Sequence, residues 1–173
     1  MRLSEIAEYI VDNYPYCCLA SNHDFIKGCR EDWYEESLID SLMDFFSFEL
    51  IDMCGCGCPE DTHELIRKIL TIRSEWQDKK ISYEEIKNRY KNDLDLDDSN
   101  NNHYGALQFI FYILDGCGII EHGSNIGGCW LTDLGKKYLT VLNAWHDREE
   151  KEKKENDVRE VIRQYKQQKK ENT

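Results

Sequence analysis

Apolar residues recur at helical spacing through most of this chain. Ile6, Tyr9 and Ile10 share a face over Ser4–Tyr14, and Pro15 ends that predicted helix. Glu35–Ile51 is the clearest case: Leu38, Ile39, Leu42, Met43, Phe46 and Leu50 form one stripe, while Glu36, Asp40 and Asp44 step by four along the other face. The pattern breaks at MCGCGCPEDT. Pro59 suits a first helical turn, and Glu60 and Asp61 suit the positive end of its dipole. The spacing of Leu65, Ile69, Ile72 and Trp76 carries that helix to about Trp76. Ser82 and Glu85 form a capping-box pair that opens a helix through Tyr90, and the polar, acidic DLDLDDSNNN reads as a loop. A strongly apolar helix follows over His103–Gly116.

Beyond it the period changes. Ile119–Leu131 reads as strand, glycine-rich tip and strand, with Gly123, Gly127 and Gly128 supplying the turn. Thr132 is placed to cap a final helix with Tyr138, Leu139, Leu142 and Trp145 on its buried face. From His146 the chain is densely charged, with Glu149–Lys153, Glu150–Lys154 and Glu155–Arg159 at i,i+4. That predicts a solvated continuation of the helix. Val158, Val161, Ile162 and Tyr165 then form a small apolar stripe, which reads either as a frayed end or as a docking strip, including one for a homodimer.

The expected fold is therefore mainly α with a small β-hairpin. An acidic helical region, 1–58, precedes a winged-helix-like domain, 59–147, and a charged helical arm, 148–173, follows it.

Composition changes the picture through charge. The 173 residues carry a formal net charge of −12. Residues 1–60 hold 13 Asp and Glu against 3 Lys and Arg, whereas residues 151–173 hold 5 against 8. So acidic a front third repels phosphate backbones and attracts basic surfaces. No apolar run is long enough to span a bilayer. The first residues, MRLSEIAEYIVDNY, carry acids where a signal peptide needs an apolar stretch. The expected compartment is the cytoplasm of a bacterial host cell. The eight cysteines are then expected as reduced thiols or metal ligands.

The phrase Leu131-Thr132-Asp133-Leu134-Gly135-Lys136-Lys137-Tyr138-Leu139, directly after the hairpin, resembles one that recurs in bacterial winged-helix regulators. In those proteins the helix before the wing enters the major groove and needs polar, often basic side chains. Here that helix, YGALQFIFYILD, has no Lys or Arg, and Asp115 is its only charge. So apolar a helix is expected to be buried on all sides. The hairpin tip, Glu121 to Ile126, offers no permanent cation either. Lys79, Lys80, Lys87, Arg89 and Lys91 remain as a basic edge for a dimer to present to DNA.

Cys54-Gly55-Cys56-Gly57-Cys58 has two readings. Thiolates at alternate positions of an extended backbone point the same way, so Cys54, Cys56 and Cys58 with His63 make a candidate zinc set. Alternating glycine equally suits a tight interhelical turn lined by small buried thiols, with no cofactor at all. A redox role is a third reading. No nucleophile elbow, phosphate-cradling glycine loop or H-E-x-x-H phrase occurs, so no enzyme is expected.

The cysteine-glycine run followed by Pro59-Glu60, together with Glu121-His122-Gly123-Ser124-Asn125-Ile126-Gly127-Gly128 before Trp130-Leu131-Thr132, resembles small proteins encoded by bacteriophages and prophages of gut Firmicutes. Some acidic phage proteins of this size are anti-CRISPR inhibitors. By analogy, the resemblance implies a non-enzymatic protein that binds and inhibits a bacterial nucleic-acid-processing protein, most sharply an RNA-guided nuclease. Glu31, Asp32, Glu35, Glu36, Asp40 and Asp44 would face the partner's basic groove, and His122, Ser124 and Asn125 of the wing would add contacts. A winged-helix transcription regulator is the alternative.

Overall fold

The computed structural model describes residues 1–14, 31–54, 60–94 and 101–171. Within these helices the side chains of 31–35, 48–54, 60–61, 101–104 and 169–171 lie outside the described set. Six α-helices and one short hairpin appear among the described residues: α1 (Leu3–Asn13), α2 (Glu31–Cys54), α3 (Glu60–Gln77), α4 (Tyr83–Leu94), α5 (Asn101–Gly116), β1 (Ile120–Glu121), β2 (Trp130–Leu131) and α6 (Asp133–Glu171). The mainly α expectation holds, and so does the hairpin. No described helix is long and apolar enough to cross a membrane.

In α1, α2, α3 and the first part of α6, the described residues of each predicted stripe are buried or half-buried. Leu3, Ile6, Ala7 and Ile10 of α1 are buried, and the Glu5 carboxylate accepts the Arg2 backbone N–H at 2.9 Å to close its first turn. Ile39, Leu42, Met43, Phe45 and Phe46 of α2 point inward, and Glu36, Asp40 and Asp44 are exposed. Ile66, Ile69, Leu70 and Ile72 of α3 meet Tyr138, Val141 and Leu142 of α6 in the same core. The Phe46 and Tyr138 rings stack with centroids 4.2 Å apart, tying α2 to α6. Each such buried side chain contributes about 1.5–3 kcal/mol of transfer free energy.

Junctions follow local chemistry. Ser82 Oγ accepts the Glu85 backbone N–H at 3.2 Å, half of the expected capping box. α4 runs one turn past Tyr90, to Leu94, and α5 begins two residues before His103, so both helices reach into DLDLDDSNNN; residues 95–100 of that stretch lie outside the described set. Gly118 ends α5 in the left-handed region, φ 68°, and the Ile119 N–H reaches back to the Leu114 carbonyl at 2.9 Å.

The hairpin is antiparallel, with Ile120 opposite Leu131 and Glu121 opposite Trp130. Its strands have two residues each, because a 3-10 turn at Ile126–Gly128 occupies the tip. Gln77, at the end of α3, acts as a third rung: its Oε1 accepts the Leu131 N–H at 3.1 Å and its Nε2 donates to the Leu131 carbonyl at 3.4 Å. Beyond Glu150, α6 leaves the body, and residues 151–168 are exposed throughout.

One expectation does not hold. α5 is not enclosed on all sides: Phe111 and Leu114 are buried, but Phe109 is 64% and Tyr112 57% exposed. The apolar residues ring this helix completely, and among the described residues α2, the hairpin and Arg73 of α3 lie against one side of it.

Candidate partner-binding surfaces

α2 carries the acidic candidate surface. Glu36, Asp40 and Asp44 share its exposed face, because residues four apart stack on one side of a helix. The side chains of Glu31, Asp32 and Glu35 lie outside the described set, although all three belong to α2. The stripe is anchored from within the molecule. Arg148 of α6 donates to Asp40 Oδ1 at 2.8 Å and to the Glu36 carbonyl at 3.4 Å. Asp40 nonetheless keeps 64% of its side chain exposed, so the pair fixes α6 against α2 and leaves the carboxylate accessible.

The hairpin tip is held by its own backbone. Asn125 Oδ1 accepts the Gly127 N–H at 2.8 Å, which caps the 3-10 turn. His122 Nδ1 lies 2.7 Å from the Gly123 carbonyl, and its Nε2 is 3.7 Å from Asp115. Ser124 is exposed. Of the three wing residues singled out in the sequence, Asn125 and His122 thus have structural tasks within the turn. Trp130 Nε1 donates to Glu121 Oε1 at 2.6 Å across the strands.

The zinc expectation falls mostly on undescribed positions: Cys56, Cys58 and the Cys54 side chain. His63 is described and buried at 8% exposure. Ser47 Oγ lies 3.1 Å from its Nε2, and the Tyr138 hydroxyl lies 3.4 Å from its Nδ1. A hydroxyl donates or accepts, so each of the two can pair with the ring nitrogen it faces. The ring also meets Trp145 edge-on at 5.8 Å. No group of metal-ligating side chains occurs among the described residues.

The basic edge is partly neutralised. Arg89 donates to Glu75 at 2.9 Å and also pairs with Asp93, and these bonds raise its pKa. Lys80 pairs with Asp78 at 2.9 Å, and Lys87 Nζ sits 5.5 Å from the centre of the Tyr83 ring. Arg89 and Lys80 therefore offer less charge with which to release counterions from a duplex.

A buried cation stands at the centre of this region, four residues after Ile69 and three before Trp76 on the apolar side of α3. Arg73 is 3% exposed, and its guanidinium lies 4.8 Å from the Phe111 ring, 5.4 Å from Tyr90 and 5.8 Å from Trp76. Three ring faces compensate its charge. Among the described residues neither Arg73 Nε nor the Tyr90 hydroxyl meets a hydrogen-bond partner. Burial pushes the Tyr90 phenol and the Cys129 thiol up, against the pull of Arg73, so both stay protonated at neutral pH. A thiol held protonated is a packing element, not a nucleophile.

The chain matches no family model, no curated protein and no solved structure. The surfaces themselves must carry the functional argument. Two stand out: the carboxylates of α2, and the outer side of α5 with its two uncovered rings. On α5 the signal was present in the sequence as a helix apolar on every side, which more residues line than one set of neighbours can bury.

Proposed function

We propose that this chain is a non-enzymatic binding protein that docks on a basic nucleic-acid-processing protein of a bacterium and blocks its nucleic-acid groove. The observation that carries the reading is the exposed row of Glu36, Asp40 and Asp44 on α2. A rigid helix with carboxylates every four residues, about 6 Å apart along its axis, presents a row of like charge that a basic groove attracts. The outer face of α5 supports it from the other direction. It presents Phe109 and Tyr112 where a groove-reading helix needs cations, and α5 contains neither Lys nor Arg. The sharpest version of the proposal takes an RNA-guided nuclease as the target, as the resemblance to phage proteins implies.

The test adds the purified chain to a guide-loaded nuclease cutting its cognate duplex. Cleavage is expected to fall with added chain and to recover at high salt, because surface charge pairs are screened. The combined variant Glu36→Gln, Asp40→Asn, Asp44→Asn is expected to inhibit at least about tenfold less well, the effect of about 1.4 kcal/mol. Unchanged cleavage at every concentration overturns the nuclease target. Equal inhibition by the neutralised variant overturns the charge argument.

A second reading is favoured by one observation. Three helices, α3, α4 and α5, precede the hairpin and α6 follows it, the order that the winged-helix reading expects, and α5 keeps an uncovered side. We carry a winged-helix regulator as the alternative, which sequence-selective retention of a promoter duplex in a gel shift would establish.

A further inference from the structure

Among the described residues Arg73 is the one permanent cation that is buried. The rings around it come from three helices: Trp76 from α3, Tyr90 from α4 and Phe111 from α5. They meet its charge, but an aromatic face is a poor hydrogen-bond acceptor. Arg73 Nε has no hydrogen-bond partner among the described residues, and the guanidinium forms no ion pair with any of them. A buried cation is ordinarily paired with an anion, because burying it alone is costly.

Two more donors stand beside it. Tyr90 is 7% exposed, and its hydroxyl also lacks a partner among the described residues. Cys129, just before β2, is a fully buried free thiol. Burial pushes the pKa of both groups up and the charge of Arg73 pulls both down, so the three are close neighbours. The phenol and the thiol keep their protons and are available to donate.

We propose that Arg73, Tyr90 and Cys129 form a binding site for one small monovalent anion of the chloride class, held by guanidinium N–H, phenol O–H and thiol S–H. The donor set selects this class. An anion accepts from all three groups at once and neutralises the guanidinium. A single water accepts two hydrogen bonds and leaves the charge unpaired. The walls are rings, which suit a weakly hydrated ion better than a phosphate or sulfate, whose several oxygens each need a donor. With 3% of Arg73 exposed, a group tethered to a larger molecule does not reach it.

Two negative charges oppose the ion, and neither excludes it. Asp115 acts on Cys129 as a lesser influence, but its carboxylate is 36% exposed and lies 3.7 Å from His122 Nε2. The net charge of −12 acts from the surface and is screened over about 8 Å at physiological salt. The ion is a staple. Ile86 and Tyr90 are the buried residues of α4, so a ligand shared by Tyr90, Arg73 and Cys129 ties this helix to α3 and to the hairpin.

Thermal unfolding of the full chain tests the site, with sodium chloride exchanged stepwise for sodium gluconate at a constant ionic strength of about 0.2 M. Gluconate is too large to enter. The midpoint is expected to rise with chloride, by about 3–6 °C once chloride exceeds its dissociation constant tenfold. Bromide is expected to replace chloride. Arg73→Met is expected to lose the rise entirely. Tyr90→Phe, which keeps the cation and the ring, is expected to lose at least half of it. In crystals grown with bromide, anomalous scattering is expected to place the ion within hydrogen-bonding reach of Arg73. A midpoint indifferent to the exchange overturns the proposal. So does a chloride response that either variant retains in full, or bromide bound on the chain but away from Arg73.

Discussion

Gly135 lies directly against the main chain of Ile119: a Cβ on it would collide with the Ile119 carbonyl oxygen and lie 3.0 Å from the carbonyl carbon. The approach is locked by Thr132, whose hydroxyl donates to the Gly118 carbonyl at 2.6 Å and accepts the Gly135 N–H at 3.0 Å. The Thr132 N–H also donates to the Ile119 carbonyl at 3.1 Å. The phrase Thr132-Asp133-Leu134-Gly135 thus fastens the start of α6 to the end of α5.

Gly135→Ala is expected to cost about 1–3 kcal/mol, because the obstacle is backbone and cannot rotate away. Thr132→Ala is expected to cost about 1 kcal/mol through the lost cap. Gly105→Ala, with open space around its Cβ, is expected to stabilise the monomer by about 0.5–1 kcal/mol. Urea unfolding of the three variants, at concentrations where the chain is monomeric, measures all of these. Equal effects at Gly135 and Gly105 would show that the tight contact with Ile119 does not exist.

Arg73 predicts a split between two substitutions. Arg73→Ala removes a long, fully enclosed side chain from among three rings and is expected to cost about 2–4 kcal/mol. Arg73→Met keeps most of the volume and removes a desolvated cation with an unpaired Nε, so it is expected to be within about 1 kcal/mol of wild type or more stable. Thermal unfolding separates the two. A methionine variant as unstable as the alanine variant would mean that the charge itself holds the rings in place.

The Arg67 guanidinium, 2.8 Å away, holds the Glu64 carboxyl below the ordinary glutamate value of 4.5, and the charge of His146 helps. A lowered folded-state pKa means that this contribution is fully present above about pH 4.5 and is lost as pH falls through the lower folded value. Denaturant midpoints taken from neutral pH into the acid range are expected to fall less steeply for Glu64→Gln than for wild type. The effect is modest, because 30% of the Glu64 side chain faces solvent. Parallel curves for the two proteins would remove Glu64 from the acid response.

The arm of α6 should be dispensable for stability. Residues 151–168 are exposed, and the last anchoring of this helix on the body is through Arg148 to Asp40. Truncation after Glu150 is therefore expected to leave the monomer's melting temperature within about 2 °C, less than 1 kcal/mol shifts it for a domain of this size. A large drop would place the arm against the body in solution.

The helices were legible because each stripe is written locally. Leu42, Phe46 and Glu36, Asp40, Asp44 separate into two faces by spacing alone, and Ser82 with Glu85 marks a helix start without reference to anything distant. The hairpin and its glycine tip were equally local. Of the candidate surface, the acidic face of α2 was readable for the same reason, as far as its side chains are described.

What the amino-acid order determined by itself was therefore periodicity, capping and charge: which stretches coil, where they stop, and which face is acidic. Only the tertiary structure decided how much of each apolar surface finds a neighbour. Nothing in YGALQFIFYILD distinguishes Phe111, which is buried on Arg73, from Phe109, which stands in solvent two residues away. The spacing of α3 sets Arg73 on the buried side with Ile69 and Trp76, but only the packing shows that its charge ends among three rings. Burial is a property of the pair of surfaces that meet, and, Trp76 apart, the rings set against Arg73 come from parts of the chain far from it in sequence.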